Sequence, residues 1–499
     1  MSENQPEKAL FQLIAEALTP EGTLPKDFSL PKEKVQNKLI FADGAMDGIK
    51  LYHTQPKEID LEPVCQALLL ISQGQEEAGK TQLTAALAQH SVIEVIDALH
   101  KWIYEHHQQL DPGKLSGFAI RCIMTSADPE LIKLGLAIME LLNTDKQEAL
   151  KKVIRALALC NEFTLYCLFI MRSWTGGNDE IFDLMQKVHG WGRIHCVNQI
   201  DPTNRLIKKW LLDHGCENNV APAYSALTVA KKCDLIDQLR RDDLSPEDWA
   251  GITLIIDGLM AEGPVAGISE IEDREGVFTA YLKQAEHFPM TLATVQNLIA
   301  IAQYIDGEQV KLPEVKKQCL ELLKSSECYV TVSAAMEQGK GFEEALKLSI
   351  PYEEKAMTWL KQNPVEHCMA ARLLMASEKD CDEILALYAD CLPLETMASG
   401  PADVLGLGKD YQNFHALAAI LQSLRLYPGK GAEFIRCALL CPVISCRTYA
   451  LDTLESWVKL AQTSLKGIAP QLLVVLDQAE ELEVKDELKS RIQALKRAA

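Results

Sequence analysis

Along nearly the whole chain apolar residues recur three and four positions apart, the period of amphipathic helices, and few stretches alternate as strands do. Helices of about 12 to 18 residues follow one another. The punctuation between them is regular. Asp111-Pro112, Asp128-Pro129, Asp201-Pro202 and Ser245-Pro246 each put a capping side chain before a proline that suits the first helical position. Ser245 and Asp248 also have capping-box spacing. The segment from Pro129 to Leu142 carries only Glu130, Lys133 and Glu140 as charges, so a helix there must be covered on both sides.

Serial helices of this kind predict an all-α fold of stacked helical pairs, a HEAT/armadillo-like α-solenoid, with a closed bundle as the alternative. The stretches 442–454 and 129–142 look like second helices of HEAT-type repeats, and 365–374 is a weaker echo. Three regions are expected. Residues 1–62 hold one amphipathic helix and then, from Thr19 to Pro63, an extended Pro-, Lys- and Gly-punctuated segment wrapped on the rest. Residues 63–240 form a first helical-repeat block and 241–499 a second, with exposed loops at Ser269–Gly276 and Gly400–Gly408. A capping helix from Gln478 to Ala498 closes the chain, pairing Glu481 with Lys485 and Glu487 with Arg491, over a stripe of Leu488, Ile492 and Leu495.

Length and composition agree with this organisation. The 499 residues exceed one compact core, and 48% apolar against 24% charged residues excludes bulk disorder. A net charge of −20 argues against nucleic acid and anionic membranes as partners. The 15 cysteines are scattered singly with no C-x-x-C pair, as reduced thiols in a cytoplasmic protein would be. The N-terminus has no apolar signal stretch, and the most apolar window, Ile252 to Ile268, is broken by Asp257 and Glu262.

One motif points to nucleotide chemistry. Gly74-Gln-Glu-Glu-Ala-Gly79-Lys80-Thr81 matches the phosphate-loop pattern letter for letter, after the apolar run 67–71. In such a loop backbone amides cradle phosphates, Lys80 neutralises them and Thr81 holds magnesium, so ATP and magnesium are candidate ligands. Asp257, ending an apolar run from Ile252, would be the acidic partner. Two adjacent glutamates, Glu76 and Glu77, and the lack of alternating strands speak for a turn between helices instead. His189, His195, Cys196, His214, Cys216 and Cys233 form the densest His and Cys grouping, without zinc-ligand spacing. His106 and His107 read as an exposed helix end. No histidine follows a glutamate by three positions, as a di-iron bundle needs, and Gly406-Leu-Gly408 lacks the third glycine of a dinucleotide loop.

The most distinctive passage runs from Val188 through Gly190, Trp191, Gly192 and Arg193 to Pro202, with Arg193 placed to pair with Asp201 or Asp213. It reads either as a buried Trp with a structural Arg or as the wall of an apolar or anion-binding groove. Continued through Thr203–Asn219 and Ala223–Ala230, it resembles the bacterial limonene hydroxylase (limonene monooxygenase) family, most clearly over about residues 188–235. The resemblance implies NADH- or NADPH-dependent hydroxylation of limonene, a small apolar terpene, to carveol and perillyl alcohol. It carries over no catalytic residue. The alternative is a non-catalytic solenoid scaffold that binds another protein on one face.

Overall fold

The computed structural model describes residues 8–32, 41–55, 59–263, 265–307 and 311–497. Among these the chain is all-α, with 30 α-helices packed in pairs and no strand. The all-α class of stacked helical pairs read from the sequence is the one observed, and it is compatible with a HEAT/armadillo-like α-solenoid. No helix is long and apolar enough to cross a membrane.

Three of the four capping signals open helices as expected. Asp111 accepts from the amides of Gly113 and Lys114 ahead of helix Pro112–Thr125, and Asp128 from Glu130 ahead of helix Pro129–Glu140. Ser245 and Asp248 form the reciprocal box that opens helix Pro246–Met260. Asp201-Pro202 starts nothing. The next helix, Arg205–His214, is capped by Asn204, which accepts from the amide of Ile207, because the Asp201 carbonyl, the first acceptor a helix from Pro202 would need, accepts instead from the Thr203 amide and the Asn178 side chain. The apolar helix Pro129–Glu140 is covered as its sequence demands, every residue from Leu131 to Met139 being buried.

The chain divides into two compact units. The first contains residues 41–289 with 8–32 and 300–319, the second residues 290–299 and 320–497. The division therefore falls near helix Leu292–Gly307, and not near residue 240, because the helix pair Ala223–Lys232 and Pro246–Met260 packs across that expected boundary. Glycine permits the close approach: Gly258 sits against Pro222 and Ala226, where a Cβ would come within 2.7 Å of Ala226.

In the first unit the N-terminal segment is more structured than expected. After helix Leu10–Ala17, the next helix among the described residues is an unforeseen one, Ala45–His53. Of the expected extension, residues 33–40 and 56–58 lie outside the described residues, as do 1–7 and the expected helix end at 498. Helix Ala45–His53 lies against Trp191: Gly48 has no side chain to keep the indole away, and Tyr52 stacks on it at 6.0 Å. Asn198 donates to the Tyr52 hydroxyl at 2.6 Å, and His53 Nε2 meets the Tyr224 hydroxyl at 2.6 Å.

The second unit has its own fully enclosed core, including Trp457, Tyr388 and Phe434. Its C-terminal end is two helices, Gln471–Leu482 and Asp486–Arg497, and not the single helix from Gln478. The break comes at Glu483, which turns inward to Arg447 and accepts from the amides of Val484 and Lys485. The stripe Leu488, Ile492 and Leu495 is buried as expected, but Lys485 pairs with Asp403, and Arg491 with Asp452 and Glu455. Loop 400–408 is pinned by Ile444 donating to Val404 and by His415 Nε2 against the Gly406 carbonyl, yet it presents Leu405 and Leu407 to solvent.

Candidate functional site

The phosphate-loop letters fold as helix. Gly74 takes a left-handed turn (φ 91°) after helix Glu62–Ser72, while Gly79, Lys80 and Thr81 lie inside helix Glu76–Leu87. The amide of Gly79 donates to Gln75 at 3.0 Å and the Thr81 hydroxyl to the Glu77 carbonyl at 2.9 Å, so the groups a phosphate would need are committed to the helix. Gly79 is glycine for packing: a Cβ would come within 2.6 Å of Ile71 on the paired helix. Lys80 is exposed, and Asp257 sits in the middle of helix Pro246–Met260 with its carboxyl raised by burial. Gly74, Gly79, Lys80 and Thr81 thus form no phosphate cradle.

The His and Cys grouping is dispersed in the same way. His195 and Cys196 are enclosed on helix Gly190–Gln199, and burial pushes the His195 imidazole down to about 4, keeping it neutral. Cys216 and Cys233 are buried with raised thiols, while His214 is exposed and meets Glu217 at 3.0 Å. His106 stacks on Trp102 at 4.7 Å and His107 turns to the Tyr104 carbonyl. Among the described residues no three His, Cys, Asp or Glu side chains converge to hold a metal ion. None of the 15 cysteines is disulfide-bonded, and all but Cys368 and Cys391 are buried.

Trp191 and Arg193 are brought together in one helical turn, facing protein on all sides. Arg193 pairs with neither Asp201 nor Asp213. It donates to the carbonyls of Val188 and Glu217, both at 2.9 Å, and lies over the Trp210 ring. Trp191 is covered by the unforeseen helix, which occupies the place a groove would have had.

The strongest buried charge cluster carried no motif. Lys133, in the middle of the apolar helix, is 1% exposed and meets Glu162 at 2.6 Å, Glu130 at 2.8 Å and Asp47 at 2.9 Å. The carboxylates serve the backbone as well: Glu162 accepts from the Gly44 amide and Glu130 from that of Val92. Burial raises Asp47 to about 6 against the pull of Lys133, and its Oδ1 is buried without a hydrogen-bond partner. Burial would raise Glu162 too, but Lys133 and the Gly44 amide hold it below the ordinary range. Burial works against the charge on Lys133, and Asp47, Glu130 and Glu162 more than offset it, so the ammonium is raised. Tyr166 bonds Asp47 at 3.2 Å, its hydroxyl raised by burial and by that carboxylate. This cluster fastens helix Ala45–His53 to helices Pro129–Glu140 and Thr164–Met171. The signal in the sequence was the lone lysine among apolar neighbours.

Three concave features stand apart from it. In the second unit an open groove of 930 Å³ has Met336, Met357 and Leu373 among its apolar lining and Glu353, Glu354, Asp380 and Glu383 among its charged lining. In the first unit a pocket of 230 Å³ is lined by Leu18, Ala156, Leu159, Met171 and Leu184 with charged residues around them. Also in the first unit, a pocket of 510 Å³ is lined by Arg205, Lys208, Lys209 and Arg241. The chain matches no family model, no curated protein and no solved structure.

Proposed function

We propose that the protein is a non-catalytic helical-repeat scaffold whose second unit receives a basic amphipathic helix of another protein. The observation that carries this reading is the 930 Å³ groove. Its four lining carboxylates outnumber its two lysines, Lys355 and Lys379, and Lys355 is already paired with Glu337 at 2.6 Å. Glu383 is held by Lys361, whereas the carboxylates of Glu354 and Asp380 have no cation partner among the described residues. A groove with both apolar residues and unneutralised acids in its lining fits a helix bearing an apolar stripe flanked by Lys or Arg. A labelled Leu/Lys amphipathic peptide should bind the full chain and weaken roughly ten-fold on Glu354→Lys/Asp380→Lys. Binding unchanged by that variant, or weakened equally by Glu247→Lys outside the groove, would count against the assignment.

The likeness to limonene hydroxylases supports a second reading, in which the chain takes limonene as substrate. The feature that favours it is the 230 Å³ pocket, where Leu18, Ala156, Leu159, Met171 and Leu184 offer apolar contacts beside charged residues to a molecule smaller than a typical drug. Carveol and perillyl alcohol should then form from limonene, oxygen and NADH or NADPH, and Leu159→Trp, which fills the pocket, should reduce them. Absence of product from purified protein with either nucleotide would remove this reading.

A further inference from the structure

The third concavity is out of character for the chain. Lysine and arginine are 50 of 499 residues and the net charge is −20, yet four of the eight residues lining the 510 Å³ pocket are cations and none is acidic. The fold gathers them from separate places. Arg205, Lys208 and Lys209 come from helix Arg205–His214, while Arg241 follows the short helix Leu235–Leu239.

Acids behind the pocket orient these cations. Asp248, whose side chain is 2% exposed, reaches Lys209 at 3.2 Å and Arg241 at 3.8 Å, and Asp213 reaches Lys209 at 2.5 Å. At the edge, Asp234 holds Lys208 at 2.8 Å and Asp243 holds Arg241 at 2.9 Å. Asp248 is itself fixed by its capping box with Ser245, and burial of its carboxylate is outweighed by the Ser245 amide and Lys209, keeping it ionised. Arg205 has no ion-pair partner among the described residues. Thr203 accepts from Asn178, which leaves its hydroxyl proton free to donate. Asn204 already caps the helix, so the donors offered to a ligand are side chains and not the helix start.

From this arrangement we infer that the pocket binds the phosphate of a small phosphorylated molecule. Arg205, which has no ion pair within contact distance among the described residues although its charge also acts on Asp243, supplies a planar fork suited to two phosphate oxygens, while Arg241 is held from behind by Asp248 and Lys208 from the edge by Asp234. The volume lies within the usual range for small-ligand sites and leaves room for an organic group beyond the phosphate. This site is independent of the groove in the second unit.

The test is calorimetric titration of the full chain with AMP and with inorganic pyrophosphate at low salt, where exposed charges are least screened. Both should bind, and Arg205→Ala/Lys208→Ala should weaken them by at least roughly ten-fold without lowering the melting temperature. Lys80→Ala should leave the affinities unchanged. No heat at millimolar anion would overturn the inference, as would affinity retained in the double variant or lost with Lys80. A single-stranded oligonucleotide binding more tightly than AMP through the same two residues would replace the small molecule with a nucleic acid.

Discussion

Lys133→Met is expected to destabilise the first unit by about 3–5 kcal/mol, the cost of leaving buried charge without its partner. The substitution keeps the length and apolar character that helix Pro129–Glu140 needs, so lost packing adds little. What it removes is the cation shared by Asp47, Glu130 and Glu162. Asp47, already raised to about 6, would take up a proton more readily, but Glu162 and Glu130 are also bound to backbone amides and cannot swing away to water. Because Asp47 belongs to helix Ala45–His53, that helix should loosen first, and trypsin should cut at Lys50 faster than in the wild type. Adding Glu162→Gln, which keeps an oxygen for the Gly44 amide, should recover part of the loss. The pH dependence follows from Glu162, whose folded value is below its ordinary one. Its contribution is present above the ordinary carboxylate range and is lost as pH falls through the lowered value, so the gap between wild type and variant should narrow in acid. A loss below about 1 kcal/mol at neutral pH, the worth of an exposed pair, would refute this account of Lys133.

Arg447→Met should destabilise the second unit by a similar amount, about 3–5 kcal/mol, or roughly 10 °C in melting temperature for a unit of this size. Arg447 and Glu483 are each 1% exposed at the side chain and bonded twice, at 2.8 and 3.2 Å. The remaining guanidinium donor takes the carbonyls of Cys441 and Pro442 at 3.0 and 2.8 Å. One arginine therefore joins the turn before helix Ile444–Ala461 to the turn before helix Asp486–Arg497. The informative comparison is Arg447→Met/Glu483→Gln. Glutamine removes the stranded charge but keeps the oxygen that accepts from Val484 and Lys485. The double variant should recover at least half of the loss, since a buried ion pair contributes less by existing than it costs when broken. If the double variant melts no higher than the single, the penalty comes from the lost carbonyl contacts and not from the orphaned carboxylate.

These two lysine and arginine residues also mark how far the sequence could be read. Asp111, Asp128 and the Ser245–Asp248 box were legible as helix starts because capping is settled within four residues of chain. The apolar circumference of 129–140 announced a helix covered on both sides. Asp201-Pro202 carries the same letters without the helix, since the Asp201 carbonyl that would accept the first helical bond is taken by the Thr203 amide and by a side chain from another helix. The phosphate-loop match failed for a related reason. Its glycines answer to a turn and to a close helix contact, needs that a nucleotide loop shares.

By itself the sequence determined the local and additive properties: helical class, the helix starts at Asp111, Asp128 and Ser245, and the acidic balance. Tertiary structure decided which charges meet. Arg205 and Arg241 stand 36 positions apart, and Asp47 and Lys133 86 apart, and no local rule relates them. Ion pairing in a core depends on dielectric and distance, which exist only once the helices have packed. The same holds for the groove and the two pockets. A concave surface is what neighbouring helices leave unfilled, and no single helix encodes it.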